Sequence, residues 1–130
     1  MPISVTWFDD DRTTLHYTFD GDWTWEEFYE ADKTAYTMLK TIAPRNGDLI
    51  VDLTHSTGIP SGMLSHVRSL FGRERDGWGN TAVIGPSRFY MSMFDMLRRL
   101  SPHLMHSFFI AESIEDATAK LYAMRETPTP

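Results

Sequence analysis

The chain has 130 residues, of which 42% are hydrophobic and 23% are charged. This length is typical of a single domain, and the composition is too apolar for a disordered chain. The formal net charge of −6 disfavours nucleic-acid binding, because phosphate neutralisation needs clustered Lys and Arg. Without cysteine the chain has no disulfide and no thiolate chemistry. No stretch reaches the roughly 20 apolar residues of a membrane span, and the N-terminus lacks signal-peptide features, so we expect a cytoplasmic protein.

The first two elements are predicted to be strands. Residues 4–7 alternate weakly between apolar and polar side chains, and the three acids at 9–11 then favour a turn. From Thr14 to Phe19 the large apolar side chains occupy every second position, a period typical of a half-buried strand. The pattern therefore predicts an N-terminal hairpin.

The first helix has the clearest local signal in the chain. Thr24 precedes a helical pattern and Glu27 follows it by three residues, which is the spacing of a capping box. Trp23 and Phe28 occupy the two positions of a hydrophobic staple. We expect this helix to run to about Ile42.

The remaining elements alternate between strand and helix. Continuous apolar runs predict buried strands, and caps and breakers predict the helix ends. In order they are a strand at 49–53, a helix from Pro60 to Gly72, a strand at 81–84, a helix from Ser87 to about Ser101, a strand at 107–110, and a final helix capped by Ser113 with Asp116 at its third position.

The order β-β-α-β-α-β-α-β-α predicts an α/β domain with a mixed sheet of about five strands and about four helices. Repeated strand–helix–strand units favour parallel pairing with right-handed crossovers. We expect one domain over residues 3–124, with residues 125–130 as a disordered tail.

That order, together with four segments, resembles the STAS domain, the fold of sulfate-transporter tails and anti-sigma factor antagonists. The resemblance covers roughly Ile3 to Met124 and looks closest to a small bacterial branch of single-domain STAS-like proteins. It implies a non-enzymatic regulatory or adaptor domain that acts by protein–protein contact. The segments that carry it are WTWEEFY at 23–29, IVDL at 50–53, PSG at 60–62 and VIG at 83–85.

The resemblance also implies a regulatory serine. In anti-sigma factor antagonists, a serine at the start of the second helix is phosphorylated by a partner kinase, and the phosphate switches partner binding. Ser61 matches that serine and Gly62 the glycine after it, whereas Ile59 and Pro60 stand where the family has Asp and Ser. A hydroxyl at this position could instead cap the helix as an N-cap residue. The partner would be an unknown regulator or a second copy of this chain, and its contact surface is expected at Thr57, Ile59, Pro60, Gly62, Met63 and Leu64.

The third helix supports an alternative function. It carries more apolar side chains than one core-facing stripe requires, and methionines make adaptable apolar surfaces. The STAS fold is also distantly similar to lipid-carrier domains of the SEC14 type, in which apolar helices line a pocket. The alternatives are therefore a small apolar-ligand (lipid-like) binding domain, or dense packing with a homodimer contact. The candidate ligand or interface residues are Trp78, Met91, Met93 and Phe94, whereas Trp23 and Trp25 are interpreted as packing and capping residues.

Four histidines are candidates for acid–base or metal chemistry, namely His55, His66, His103 and His106. No HExxH motif or comparable ligand set accompanies them. We therefore predict no metal and no cofactor.

An enzyme would need a nucleophile with a base. Ser61 and His55 could form such a dyad with Asp52 as the orienting acid, but the sequence has no GxSxG elbow, and we predict no catalytic residue. The three functions differ in structure. A switch predicts an exposed Ser61 and no deep pocket, a ligand-binding domain predicts a closed apolar cavity of several hundred Å³, and an enzyme predicts His55 within hydrogen-bond reach of Ser61.

Overall fold

A five-stranded mixed sheet forms the centre of the protein. The structure, a computed structural model, describes residues 2–63, 65–66, 77–100 and 102–126. Each strand pairs with the next one along the chain, in the order β1-β2-β3-β4-β5. The first pair is antiparallel and the other three pairs are parallel. The strands are β1 Ile3–Trp7, β2 Thr14–Gly21, β3 Gly47–Ser56, β4 Trp78–Ile84 and β5 Phe108–Ala111. The predicted α/β class with a mixed sheet is thereby confirmed.

The described residues contain three helices of 13 or more residues. These are α1 Trp25–Lys40, α2 Arg88–Leu100 and α4 Ile114–Glu126, with α3 Pro102–Met105 as a short turn after α2. The predicted helix from Pro60 to Gly72 lies largely outside the described residues, although 63, 65 and 66 are helical. Most of the predicted tail, residues 127–130, also lies outside them.

Two strands are longer than the sequence predicts. The strand predicted at 49–53 continues to Ser56, because Asp20 and Gly21 of β2 pair with His55 and Ser56. Likewise the strand predicted at 81–84 begins three residues earlier, at Trp78, which pairs with Gly47. Both extensions depend on a partner strand that local sequence does not reveal.

The two faces of the sheet carry separate cores. The larger core lies on the face that α1 and α2 cover, and Leu15, Tyr17 and Phe19 of β2 all belong to it. The smaller core lies on the opposite face and includes Ile50 of β3 and Leu121 of α4. The period of two predicted for β2 is therefore confirmed. Because crossovers between parallel strands share one hand, α1 and α2 lie on the same face.

The start of α1 is fixed by the predicted capping box. The Glu27 N–H donates to Thr24 Oγ1 at 3.1 Å, and the Thr24 N–H donates to Glu27 Oε1 at 3.0 Å. Trp23 packs on Phe28 with their ring centroids 5.8 Å apart, which is the predicted staple. The helix ends at Lys40, two residues before the expected position. The cap therefore sets where the aromatic side chains of the first turn lie.

Removing this cap should destabilise the protein. Thr24→Ala leaves an N–H at the start of α1 without its acceptor, and we expect the free energy of unfolding to fall by about 1 kcal/mol. Thr37→Ala is the matched control, because Thr37 is exposed on the same helix and its hydroxyl donates to the Lys33 carbonyl. Alanine has the higher helix propensity at such a site, so Thr37→Ala should leave stability equal or slightly raised. Urea denaturation measures both, and equal losses would contradict the role of the cap.

One histidine lies on the face of the sheet that carries the smaller core. His16 of β2 is half-buried, and its ring meets the Phe8 ring edge-on at 5.9 Å. Its Nε2 atom is buried and has no hydrogen-bond partner in the part of the chain that the structure describes. Burial lowers the pKa of His16 below its ordinary value, and the nearby Asp52 charge offsets that effect only in part. The folded protein therefore favours the neutral imidazole.

This histidine should make stability depend on pH. As the pH falls through the ordinary histidine pKa of 6.5, the unfolded chain binds a proton before the folded chain does, so stability should fall as the pH is lowered below about 7. His16→Phe should flatten this part of the curve and raise stability, because it removes a buried polar atom without a partner. The exposed His106→Gln should keep the wild-type slope. Urea denaturation at several pH values tests this, and an unchanged slope in His16→Phe would refute it.

Candidate functional site

A cavity of about 260 Å³ lies between α1 and α2, on the face of the sheet that carries the larger core. It is partly open to solvent, whereas the ligand-binding alternative predicted a closed cavity. Side chains of the three middle strands form its floor, among them Tyr17, Val51 and Val83. Phe28 of α1 and Phe94 of α2 belong to its walls. The volume is a little below the 300–1,000 Å³ or so that is usual for drug-sized ligands, so this cavity suits a smaller molecule.

The cavity follows the direction of the strands. At one end it reaches Trp78, the first residue of β4, and at the other it reaches Ile59 and Met63, which follow β3. Val83, five residues after Trp78, also lines it. At about 3.3 Å per strand residue, this span is roughly 16 Å. The space is therefore elongated rather than spherical.

Aromatic side chains from the start of α1 form one end of the cavity. The Trp23 and Trp25 rings are perpendicular with centroids 5.0 Å apart, and Phe19 meets Trp23 edge-on at 5.3 Å. Trp23 is buried, as expected of a packing residue. Both tryptophans also line the cavity, which their interpretation as packing and capping residues did not include.

The first two turns of α1 also contact the segment that follows β3. The Trp25 Nε1–H donates to the Ser61 carbonyl at 2.8 Å, and the Trp25 ring stacks on His66 at 4.5 Å with an interplanar angle of 15°. The Tyr29 hydroxyl lies 2.7 Å from His66 Nδ1. Because Met63 lines the cavity between these contacts, α1 positions one part of the cavity's border.

A tyrosine on α2 fixes the opposite wall. The Tyr90 hydroxyl donates to the Gly58 carbonyl at 3.1 Å and accepts from Trp23 Nε1–H at 3.3 Å. It also lies 2.7 Å from Ser56 Oγ. Tyr90 is buried, so these bonds tie α2 to the end of β3 and to the aromatic cluster in one place.

One acidic side chain lies in the otherwise apolar wall. Asp32 of α1 is 8% exposed and lines the cavity. The Tyr17 hydroxyl donates to Asp32 Oδ1 at 3.4 Å. Sequence reasoning missed Asp32, although a signal was present. It follows Phe28 by four residues and neighbours the buried Ala31, so it lies on the inward face of the helix.

Three of the four predicted ligand or interface residues line the cavity, namely Trp78, Met93 and Phe94. Met91 is not in the described lining and is 37% exposed. Residues two apart on a helix point about 200° apart, so Met91 and Met93 cannot share one face. Of the predicted partner surface, Ile59 and Met63 line the cavity as well, and Leu64 lies outside the described residues.

Ser61 is exposed and lies one residue before the helix cap. The first described helical residue is Met63, and the His66 N–H donates to the Gly62 carbonyl at 3.3 Å. Gly62, with φ of +83°, therefore occupies the N-cap position that the capping interpretation gave to Ser61. The exposed Thr57 donates its hydroxyl hydrogen to the Asp22 carboxylate. Pro60, which lies between Thr57 and Ser61 in the sequence, is half-buried.

The dyad considered for an enzyme has no hydrogen-bonding support. His55 is exposed at the end of β3, and none of the hydrogen bonds among the described residues joins it to Ser61. Asp52 Oδ1 accepts the Thr54 N–H at 2.9 Å. Within the described ranges, no group of three or more His, Cys, Asp or Glu could hold a metal ion. His106 is exposed, and the side chain of His103 is outside the described part of the chain.

No protein-family model matches the chain, and no curated protein matches it significantly. Among the described residues, no helix is both long enough and apolar enough to span a membrane. A functional assignment therefore depends on the chain's own geometry.

Proposed function

We propose that the protein is a non-enzymatic, STAS-like domain that binds a small apolar ligand on the face of the sheet that carries the larger core. The observation that carries the proposal is the elongated cavity of about 260 Å³ between α1 and α2. Concave, mostly apolar sites with a few polar groups are the usual binding sites for small molecules. Apolar cavities accept apolar guests of matching size.

The size of the cavity limits the ligand. An apolar cavity of about 150 Å³ accommodates benzene, so by proportion the cavity of about 260 Å³ accommodates about ten carbon atoms. Burial of each CH₂ group contributes about 0.8 kcal/mol. A ligand with eight such groups would gain roughly 6 kcal/mol from burial, which limits the dissociation constant to tens of micromolar at best, because the cost of association opposes this gain.

Octan-1-ol is a suitable probe, and we expect it to bind the wild-type protein with a dissociation constant between about ten micromolar and one millimolar. Val51→Phe places a larger side chain in the floor of the cavity and should weaken binding at least tenfold. Val5→Phe is the matched control, because Val5 is also half-buried and packs against the same core but is not in the described cavity lining. Its affinity should equal that of the wild type.

Isothermal titration calorimetry measures these affinities, and tryptophan emission gives an independent signal because Trp23, Trp25 and Trp78 line the cavity. Circular dichroism establishes that each variant is folded. Absence of octan-1-ol binding to the wild type at millimolar concentration would overturn the proposal. Equal affinity of Val51→Phe and Val5→Phe for octan-1-ol would show that the ligand binds outside this cavity.

A second function is supported by the exposure of Ser61. The family resemblance implies an adaptor switched by phosphorylation, and an exposed hydroxyl is accessible to a kinase. A phosphate there would add up to two negative charges beside the helical turn that begins at Met63, where free N–H groups favour an anion. Ile59 and Met63 border this position and would be covered by a protein partner.

The phosphorylation proposal is tested with protein purified from its own cells. Native mass spectrometry should show the added mass of one phosphate, and peptide mapping should place it on Ser61. Ser61→Ala should abolish the added mass, whereas Ser65→Ala should retain it, since Ser65 is another exposed serine nearby. An unmodified chain, or a phosphate that persists in Ser61→Ala, would eliminate the switch.

A further inference from the structure

β1 lies at one edge of the sheet and pairs with β2 in an antiparallel ladder. The Phe8 N–H donates to the Thr14 carbonyl at 2.8 Å, and the Asp20 N–H donates to the Pro2 carbonyl at 2.7 Å. Hydrogen-bonded and non-hydrogen-bonded pairs alternate along such a ladder. The even-numbered residues from 2 to 8 therefore direct their main-chain polar groups towards β2.

The odd-numbered residues of β1 direct the same groups away from the sheet. They are Ile3, Val5 and Trp7, and no hydrogen bond between described residues uses their N–H or C=O groups. Such an edge is a template for another strand, and proteins usually protect it with charges, proline, a bulge or a short strand. β1 pairs over five residues without a register shift, and its sequence ISVTW contains no charge and no proline. The edge therefore offers about 17 Å of strand for pairing.

An acidic groove of about 240 Å³ lies beside this edge, between β1 and α1. Its inner part is apolar, because Ile3 and Ala31 are buried and Val5 is half-buried. Its outer part carries two carboxylates, from the half-buried Glu27 and the exposed Glu30. Lysine and arginine cover apolar surface with their stems while the charged end stays in water. The groove therefore suits long basic side chains.

A strand added to β1 would direct every second side chain towards this groove. Ile3 and Val5 contribute their side chains to the larger core, on the face that α1 covers, whereas Ser4 and Thr6 are exposed. Residues opposite each other in paired strands have their side chains on the same face. In an antiparallel pairing, the residues that bond to the main chain of Val5 and its odd-numbered neighbours would thus place their side chains beside Glu30.

We propose that β1 binds an extended segment of another protein as an antiparallel added strand, and that this segment has lysine or arginine at every second position. Main-chain hydrogen bonds supply affinity and the alternate side chains supply specificity, as in other cases of strand addition. A second copy of this chain is disfavoured as the occupant, because its own β1 has no basic residue and two acidic grooves would meet. The edge is separate from the cavity, so this inference does not rest on ligand binding.

A blocked heptapeptide of alternating lysine and threonine, KTKTKTK, is the probe. One analogue carries N-methyl groups on its lysines, which keeps the charge but removes the N–H groups that face β1. A second analogue replaces every lysine by glutamate. All three are titrated into the full chain at pH 7 by calorimetry. We expect the probe to bind with a dissociation constant below about one millimolar, the N-methylated analogue to bind at least tenfold more weakly, and the glutamate analogue not to bind.

Charge reversal in the groove tests the side-chain contribution. Glu30→Lys should weaken binding of the probe at least fivefold, because a like charge then faces its lysines. Glu27 is unsuitable for this test because it also caps α1. Glu115→Lys is the matched control, since Glu115 is exposed on α4 and the same charge change there lies on the face that carries the smaller core. It should keep the wild-type affinity within about twofold, and circular dichroism establishes that both variants are folded.

Amide hydrogen exchange by NMR reports directly on the edge. In the free protein the Val5 amide should exchange faster than the Thr6 amide, because the Thr6 N–H faces β2. A saturating amount of the probe should slow exchange at Val5 at least tenfold and change that at Thr6 little. Slow exchange at Val5 in the free protein would show that a second copy or another segment already covers the edge, and this would overturn the proposal.

The peptide comparison separates strand addition from simple attraction between charges. Equal binding of the probe and its N-methylated analogue would contradict a main-chain ladder. Equal affinity of Glu30→Lys and Glu115→Lys for the probe would contradict the groove, and absence of binding to the wild type at millimolar concentration would refute the whole site. None of these results bears on the binding of octan-1-ol, because Ile3, Val5 and Glu30 are not in the described cavity lining.

Discussion

The sequential pairing of the parallel strands determines where everything else in this protein lies. Because β2 to β5 pair in chain order, crossovers of one hand carry their helices to the same face. The larger core and the cavity are therefore on that face, and α4 covers part of the other. With α1 on one side and α2 on the other, the middle of the sheet becomes the floor of an elongated space.

The aromatic residues at the start of α1 connect the cap of this helix to the border of the cavity. Thr24 and Glu27 fix the first turn, and this places Trp25 where its ring lines the cavity and its N–H reaches the Ser61 carbonyl. Large rigid rings that meet edge-on do not fill space as flexible aliphatic chains do. Local sequence at one helix end thus contributes to the cap, the packing and the cavity wall.

Features that depend on near neighbours in the sequence were predictable, and features that depend on distant ones were not. The capping box at Thr24 and the Ser113 cap, which accepts the Asp116 N–H at 3.0 Å, follow from spacing alone. The start of β4 does not, because Gly79 looks like a loop residue. A Cβ at Gly79 would collide with the Asp48 carboxylate, which accepts the Asn80 N–H at 2.8 Å. The strand requires a glycine there for close approach, and only the fold reveals this.

The cavity and Asp32 were harder to predict for a physical reason, since a sequence shows which helix face is inward but not whether the space beside it is filled. An apolar space that no side chain fills forgoes packing contacts, and this opposes stability. A ligand that fills the cavity would supply those contacts and stabilise the folded state by mass action. Because the hydrogen bonds of Tyr90 hold one wall in place, the space is a property of the fold, and this supports the proposal of a ligand site.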